Sequence, residues 1–226
     1  MTCRPTLPAT LLVVAKAPVA GFAKTRLTPP LTPSAAADIA AASLLDTLES
    51  VLACPVAHRV VALTGDLVAA ERCGEIERLL ADFEVAPQRG RTFGARLANA
   101  HADAARWGLP VLQIGMDTPQ IGADELADAV GVLLDTGDAV LGPATDGGWW
   151  ALGLPTPQPA RALVDVPMST PRTGVLTRKA VQRCGIRVHS LATYSDVDRF
   201  ADALLLASTT HGRFADAVHR RTVAPQ

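Results

Sequence analysis

Pro110-Val111-Leu112-Gln113-Ile114-Gly115-Met116-Asp117-Thr118-Pro119 reads as a buried strand that ends in a glycine, an acid and a proline. A helix-like run begins just beyond it, near Gly122. In open α/β sheets ligands sit outside the carboxyl ends of the strands, so this spacing projects Asp117 into the expected crevice. Gly115 admits close backbone approach, and Pro119 halts strand pairing before the helix. An acid held this way suits Mg²⁺ or Mn²⁺, hard cations that take one or two protein carboxylates and keep their other positions for water and phosphate oxygens. The alternative is a turn aspartate that accepts backbone hydrogen bonds.

Outward from this stretch, apolar strand-like runs recur between amphipathic segments, at 11–15, 59–63, 83–86, 139–141, 149–152 and 186–188. The alternation predicts a mostly parallel sheet covered by helices on both faces. The first helix has a capping residue in Thr32, Pro33 in its first turn and an apolar stripe from Ala37 to Leu52, and Cys54-Pro55 ends it. Further helices are expected over 67–80, 92–107, 123–134, 171–184 and 196–207, with Pro155–Pro159 as a surface loop. One domain is expected over 10–210, between an N-terminal tail (1–9) and a C-terminal segment (211–226).

The composition excludes several classes. The 226 residues are 49% hydrophobic, enough for a sizeable core, and 21 basic against 22 acidic residues give a net charge of −1. No basic run favours nucleic acid, and neither a secretory signal nor a membrane span is legible, so a cytoplasmic protein is expected. Cys3, Cys54, Cys73 and Cys184 have neither disulfide-framework nor zinc-site spacing. The five histidines also lack close pairing.

Four further stretches carry candidate chemistry. After the first strand, Lys16, Gly21, Lys24, Thr25 and Arg26 form a loop able to turn tightly and neutralise phosphates. It is not a Walker A loop, since Pro18 and Ala23 stand where that motif needs glycines, and no G-x-G-x-x-G occurs. Gln88, Gly90, Gly94 and Arg96 lead from a strand into a helix N-terminus, a setting suited to an anion. Asp146-Gly147-Gly148-Trp149-Trp150 puts an acid before two indoles; alternation along a strand allows only one of them to face a sugar or base. Tyr194-Ser195-Asp196-Val197-Asp198 reads either as a helix start, with Ser195 and Asp198 as a capping box, or as a D-x-D metal-ligand pair.

Taken in order, Lys16…Lys24-Thr25-Arg26-Leu27, Gln88-x-Gly90…Gly94-x-Arg96, Gly115-x-Asp117-x-Pro119, Leu141-Gly142-Pro143-x-x-Asp146-Gly147-Gly148 and Asp196-Val197-Asp198 resemble the bacterial selenodomain-associated transferase 1 family, over roughly residues 10 to 205. The resemblance implies a Rossmann-like GT-A, or nucleotide-diphospho-sugar transferase, fold. It also implies a nucleotide on the first loop and a divalent metal on Asp117, with Asp146 and Asp196 as further acids. Trp149-Trp150, Met116 and Arg199-Phe200 depart from the family's usual residues.

The expected function is therefore a metal-dependent transfer of a sugar from a nucleoside diphosphate sugar to a small acceptor. Asp117, Asp146 and Lys24 are the expected catalytic residues. Asp117, Asp146 and Asp196 are the expected ligands of Mg²⁺ or Mn²⁺. Lys16, Gly21, Lys24, Thr25, Arg26, Gln88, Gly90, Gly94 and Arg96 are expected at the nucleotide, and Trp149 and Trp150 at the sugar or acceptor. The alternatives are a nucleotidylyltransferase that releases pyrophosphate from a nucleoside triphosphate, and a non-catalytic nucleotide-binding protein.

Overall fold

A computed structural model describes residues 5–223. In chain order the elements are β1 (Leu7–Lys16), α1 (Pro33–Ala53), β2 (Val56–Thr64), α2 (Cys73–Leu80), β3 (Glu84–Pro87), α3 (Phe93–Ala104) and β4 (Val111–Ile114). They continue with α4 (Ala123–Thr136), β5 (Ala139–Pro143), β6 (Trp149–Leu154), α5 (Thr173–Gln182), β7 (Val188–Ser190), α6 (Phe200–Ala207) and α7 (Arg213–Val223). The seven strands form one sheet in the order β3-β2-β1-β4-β6-β5-β7. All neighbours pair in parallel except β6, which runs antiparallel to both β4 and β5. This is the expected α/β architecture. The β5–β6 hairpin turns the chain at Asp146, so the acid appears at the same sheet edge as the end of β4.

Both faces are covered. On one, Leu11, Val13, Leu112 and Ile114 pack with Leu44, Leu45 and Leu48 of α1 and Leu126 and Val130 of α4. On the other, Leu12 and Val60 meet Ala100 and Ala104 of α3, while Leu97 of α3 packs with Leu141, Leu152 and Val181. The cap of α1 is formed as the sequence predicts: Thr32 Oγ1 accepts from Ala35 N at 3.2 Å, with Pro33 in the first turn. Such a cap contributes about 1 kcal/mol.

Several boundaries differ from the sequence reading for local reasons. The helix expected over 67–80 is shortened to α2 because Arg72, its N-cap, takes a left-handed conformation (φ 54°). The run expected over 92–107 ends as α helix at Ala104 and closes in a 3₁₀ turn. Pro155–Pro159 enters a 3₁₀ helix at Gln158–Asp165, whose Ala160 and Leu163 are fully buried against α3. The helix expected from Asp196 starts at Phe200, where Asp202 Oδ2 accepts from Arg199 N at 2.7 Å; Ser195 caps nothing. The expected C-terminal segment contains α7, whose Phe214 and Val218 dock on Ala36 and Ile39 of α1. Strand β1 begins inside the stretch assigned to the tail. Cys3 lies outside the described residues.

Candidate active site

A cavity of about 600 Å³ opens at the carboxyl ends of β1 and β4. Asp117, Asp146, Asp196 and Lys24 line its centre, and Lys16, Thr25, Arg26, Gln88, Arg96, Trp149 and Trp150 also contribute to its wall. Three of the expected residues stay out of the lining. Gly21 is an exposed turn residue with φ +74°. Gly90 has φ +139° and lies against Ala95 and Arg96, where a Cβ would come within 2.9 Å of backbone. Gly94 is required by packing, since a Cβ there would sit 2.2 Å from the Leu163 carbonyl oxygen. These glycines shape the walls that carry the side chains.

Asp117 is fixed from several directions. Ser43 Oγ, from α1, donates to Met116 O at 2.9 Å, and Lys16 N donates to Met116 Sδ at 3.1 Å. Met116 thus ties β1 to this loop. Gly115 leaves room for the acid: a Cβ would approach Asp117 Oδ1 to 2.9 Å. Lys24 Nζ donates to Asp117 Oδ2 at 2.8 Å and also to Val197 O, while Val197 N donates to Asp117 O at 3.2 Å. The first loop, the β4 loop and the 195–198 segment are therefore zipped together around one carboxylate.

Asp146 and Asp196 are set beside each other by backbone pairing. Thr145 N donates to Tyr194 O at 3.0 Å, next to a parallel bridge between Ala144 and Tyr194. Asp146 Oδ1 accepts from Gly148 N at 2.7 Å. Gly147, with φ +88°, is pressed on Pro171, where a Cβ would meet the carbonyl oxygen at 2.0 Å, so no side chain fits. Burial, followed by the charges of Asp146 and Asp117, pushes the Asp196 carboxyl up to about 6. That shift reports a carboxyl withdrawn from water first, and near two other acids second.

The two indoles separate as strand alternation requires. Trp150 is buried, and its Nε1 donates to Ala192 O at 2.9 Å; its ring fills the space left by Gly142. Trp149 is half-buried, with Nε1 donating to Thr177 Oγ1 at 3.2 Å. Arg26 Nη1 reaches both oxygens of Asp198, at 2.9 and 3.0 Å. Gln88 spends its amide nitrogen on Ala15 O (2.8 Å) and Ala62 O (3.0 Å), which anchors the end of β3 to β1 and β2. His101 is fully buried, and desolvation lowers its pKa to about 4, so it is a neutral core imidazole.

The expected three-aspartate metal cage is not assembled. Among the described residues no three His, Cys, Asp or Glu side chains are grouped closely enough to enclose an ion; Asp117 accepts from Lys24, and Asp146 accepts from the backbone of its own turn. The donor chemistry still fits Mg²⁺ or Mn²⁺ held by one or two of the carboxylates, with water and phosphate completing the shell.

Sequence reading missed Phe22, Phe93, Gln113 and the 168–173 segment, all of which line the cavity. Ser169 of that segment has φ +59°, a conformation a serine seldom takes, and Thr173 Oγ1 donates to Pro167 O at 2.9 Å. No local signal pointed to them, since α3, β4 and the loop before α5 meet only in three dimensions.

The strand order and the cavity beyond β1 and β4 define a nucleotide-diphospho-sugar transferase fold. The chain belongs to the bacterial family DUF2064, described as "uncharacterized protein conserved in bacteria", whose profile matches residues 47–170. A protein from Desulfovibrio desulfuricans G20, named "putative nucleotide-diphospho-sugar transferase", superposes with a TM-score of 0.78 at 23% identity, over 94% of this chain and 97% of its own. Rv0371c from Mycobacterium tuberculosis H37Rv, in complex with manganese, gives a TM-score of 0.55 at 17% identity, over 90% of this chain and all of its own. A CMP:2-keto-3-deoxy-manno-octonic acid synthetase complexed with CTP gives 0.54 at 12% identity, over 89% and 99% of the two chains. No curated protein matches in sequence. Among the described residues, no helix is long and apolar enough to cross a membrane.

Proposed function

We propose that this protein is a transferase that uses an activated nucleotide, moving a sugar from a nucleoside diphosphate sugar to a small acceptor with Mg²⁺ or Mn²⁺ as cofactor. The observation that carries the reading is the convergence of Asp117, Asp146 and Asp196, with Lys24 beside them, in one cavity at the carboxyl edge of the sheet. Asp117 has Lys24 as a partner while Asp146 and Asp196 make no ion pair among the described residues, an arrangement that a divalent cation would complement. The order of motifs shared with the selenodomain-associated transferases supports the same reading, as does manganese on Rv0371c, which shares the fold.

Asp117 and Asp146 would hold the cation, which supplies neutralisation of a departing diphosphate. Lys24, already at Asp117, holds that carboxylate in place and adds positive charge where the leaving group collects negative charge. Lys16, Thr25, Arg26, Gln88 and Arg96 bound the nucleotide side of the cavity, and the half-buried face of Trp149 bounds the sugar or acceptor side. Alternatively, the exposed carboxylate of Asp146 would act as base on an acceptor hydroxyl instead of joining the cation.

A nucleotidylyltransferase is the second reading, favoured by the fold shared with a CTP-bound synthetase. The two differ in the bond broken. Sugar transfer predicts Mn²⁺-dependent release of nucleoside diphosphate from a panel of nucleoside diphosphate sugars, with no pyrophosphate from any nucleoside triphosphate. Metal-dependent pyrophosphate release in the presence of a phosphorylated small acceptor would replace the first reading with the second.

A further inference from the structure

The cations of the cavity fall into two kinds. Lys24 and Arg26 have carboxylate partners in Asp117 and Asp198. Lys16 and Arg96 make no ion pair among the described residues, and each lies instead against a phenyl ring. Lys16 Nζ is 3.6 Å from the Phe22 ring centroid, and Arg96 Cζ is 5.5 Å from that of Phe93. Aromatic faces hold cations in position without neutralising them. Desolvation and the neighbouring charge of Arg96 lower the Lys16 pKa, so the two positive groups act on each other. Like charges kept together in a partly desolvated cavity are costly until an anion arrives.

Two unmet hydrogen-bonding groups lie in the same wall. Arg96 Nε is buried and has no acceptor. Gln113, on β4, is fully buried, lines the cavity, and has no partner for either amide atom. His101 lies beside it, near enough for the Gln113 side chain to hold the His101 pKa up against burial, although the two complete no hydrogen bond of ordinary geometry. Buried polar groups are ordinarily satisfied, and a donor left without an acceptor is costly. Packing leaves the Arg96 Nε and the Gln113 amide nitrogen without an acceptor, and the Gln113 amide oxygen without a donor.

We infer that Lys16, Arg96 and Gln113 form a phosphoryl-binding subsite that works without a divalent ion, set apart from the aspartates of the same cavity. A phosphoryl dianion matches both charges and offers three oxygens to an ammonium, a guanidinium and an amide. A carboxylate brings one charge and two oxygens. The inference rests on the reading of this cavity as the substrate site, and it specifies that the substrate carries a phosphoryl group gripped by protein alone. Binding is then divided into a metal-dependent part at the aspartates and a metal-independent part at this wall.

The test is calorimetric titration with inorganic phosphate in EDTA, with acetate as the carboxylate arm. Wild-type protein is expected to bind phosphate and to bind acetate more weakly. Lys16→Gln and Arg96→Gln should each weaken phosphate about tenfold, the worth of one charge-assisted hydrogen bond. Gln113→Leu should weaken it about threefold, and Lys24→Gln by less than either cation variant because Asp117 already engages that lysine. Thermal unfolding verifies each variant; if Arg96→Gln does not fold, Arg96→Lys keeps the charge, loses the fork, and should still weaken phosphate. Absence of metal-free phosphate binding, acetate matching phosphate, or unchanged affinity in both cation variants overturns the inference. Phosphate binding as described without turnover of any nucleotide leaves the subsite standing and removes the transferase reading. Turnover without metal-free phosphate binding does the reverse.

Discussion

Lys16 ends β1 and Lys24 sits in the loop that follows; they line one cavity, yet they meet opposite surroundings. Lys24 is locked between Asp117 and the Val197 carbonyl, while Lys16 rests on a phenyl ring beside a second cation. The acidic wall is assembled from segments far apart in sequence and carries its own lysine. The basic wall, from the end of β1 and the first turns of α3, carries no acid to match. Two residues of the same type, eight positions apart, thus meet different partners: a carboxylate in one case, a phenyl ring and a second cation in the other. Partners, which a sequence does not display, decide between these roles.

The largest expected effect breaks the acidic wall. Asp117→Ala should lower turnover by about 10²–10³-fold or more, the scale of losing a charge placed at the reacting centre. The protein should remain folded, since the substitution opens no core cavity, although Lys24 is left with a single acceptor in Val197 O. Asp117→Asn should be nearly as inactive, because it keeps the shape and loses the charge. Steady-state kinetics with Mn²⁺ present, alongside a thermal melt, measures both quantities. Full turnover in either variant would remove Asp117 from the chemistry.

A second effect, on the basic wall, separates packing from binding. Gly94 opens α3 beside Phe93, and the sequence places it with the nucleotide; the structure places it under the Leu163 carbonyl. Gly94→Ala should destabilise the protein by about 1–3 kcal/mol, the cost of overpacking against backbone that cannot easily retreat. Phosphate affinity of the folded variant should change little. Urea denaturation gives the first number and titration the second. Loss of affinity with unchanged stability would return Gly94 to the binding site.

Much of the layout was legible in the sequence because it is local. The apolar runs, the Thr32 cap, the Asp146-Gly147 turn and the position of Asp117 after β4 each depend on a few neighbouring residues. What escaped depends on distant contacts. Gly94 is explained by Leu163, Gly147 by Pro171, and Met116 by the N–H of Lys16. Ser195 resembles a helix cap in isolation, but its carbonyl is engaged by Gln120 and its hydroxyl by Thr145, and the helix waits until Phe200. Gln113 sits in a strand of apolar neighbours and gives no hint in sequence that its buried amide lies at the cavity wall beside His101.

The smallest effect sharpens the comparison through pH. Asp196 has a carboxyl pushed up to about 6 from an ordinary value of 3.8, first by burial and then by Asp146 and Asp117. The folded protein therefore keeps a proton between about pH 4 and 6 that the unfolded chain releases. Stability from this group is greatest below about pH 4, falls as pH rises through 6, and stays low above it. Asp196→Asn has no such titration, so in EDTA its stability relative to wild type should rise with pH over that window. The two-unit shift corresponds to about 3 kcal/mol, and partial exposure of the carboxyl screens this to about 1 kcal/mol at pH 8. Groups away from this cluster titrate alike in both proteins and cancel in the difference. Adding Mn²⁺ at pH 8 should narrow the gap, because the cation favours the charged wild-type acids and gains less from the amide. A difference between the two proteins that is flat from pH 4 to pH 8 would show that the three acids do not crowd one another, and the carboxylate convergence on which the metal proposal rests would fall with it.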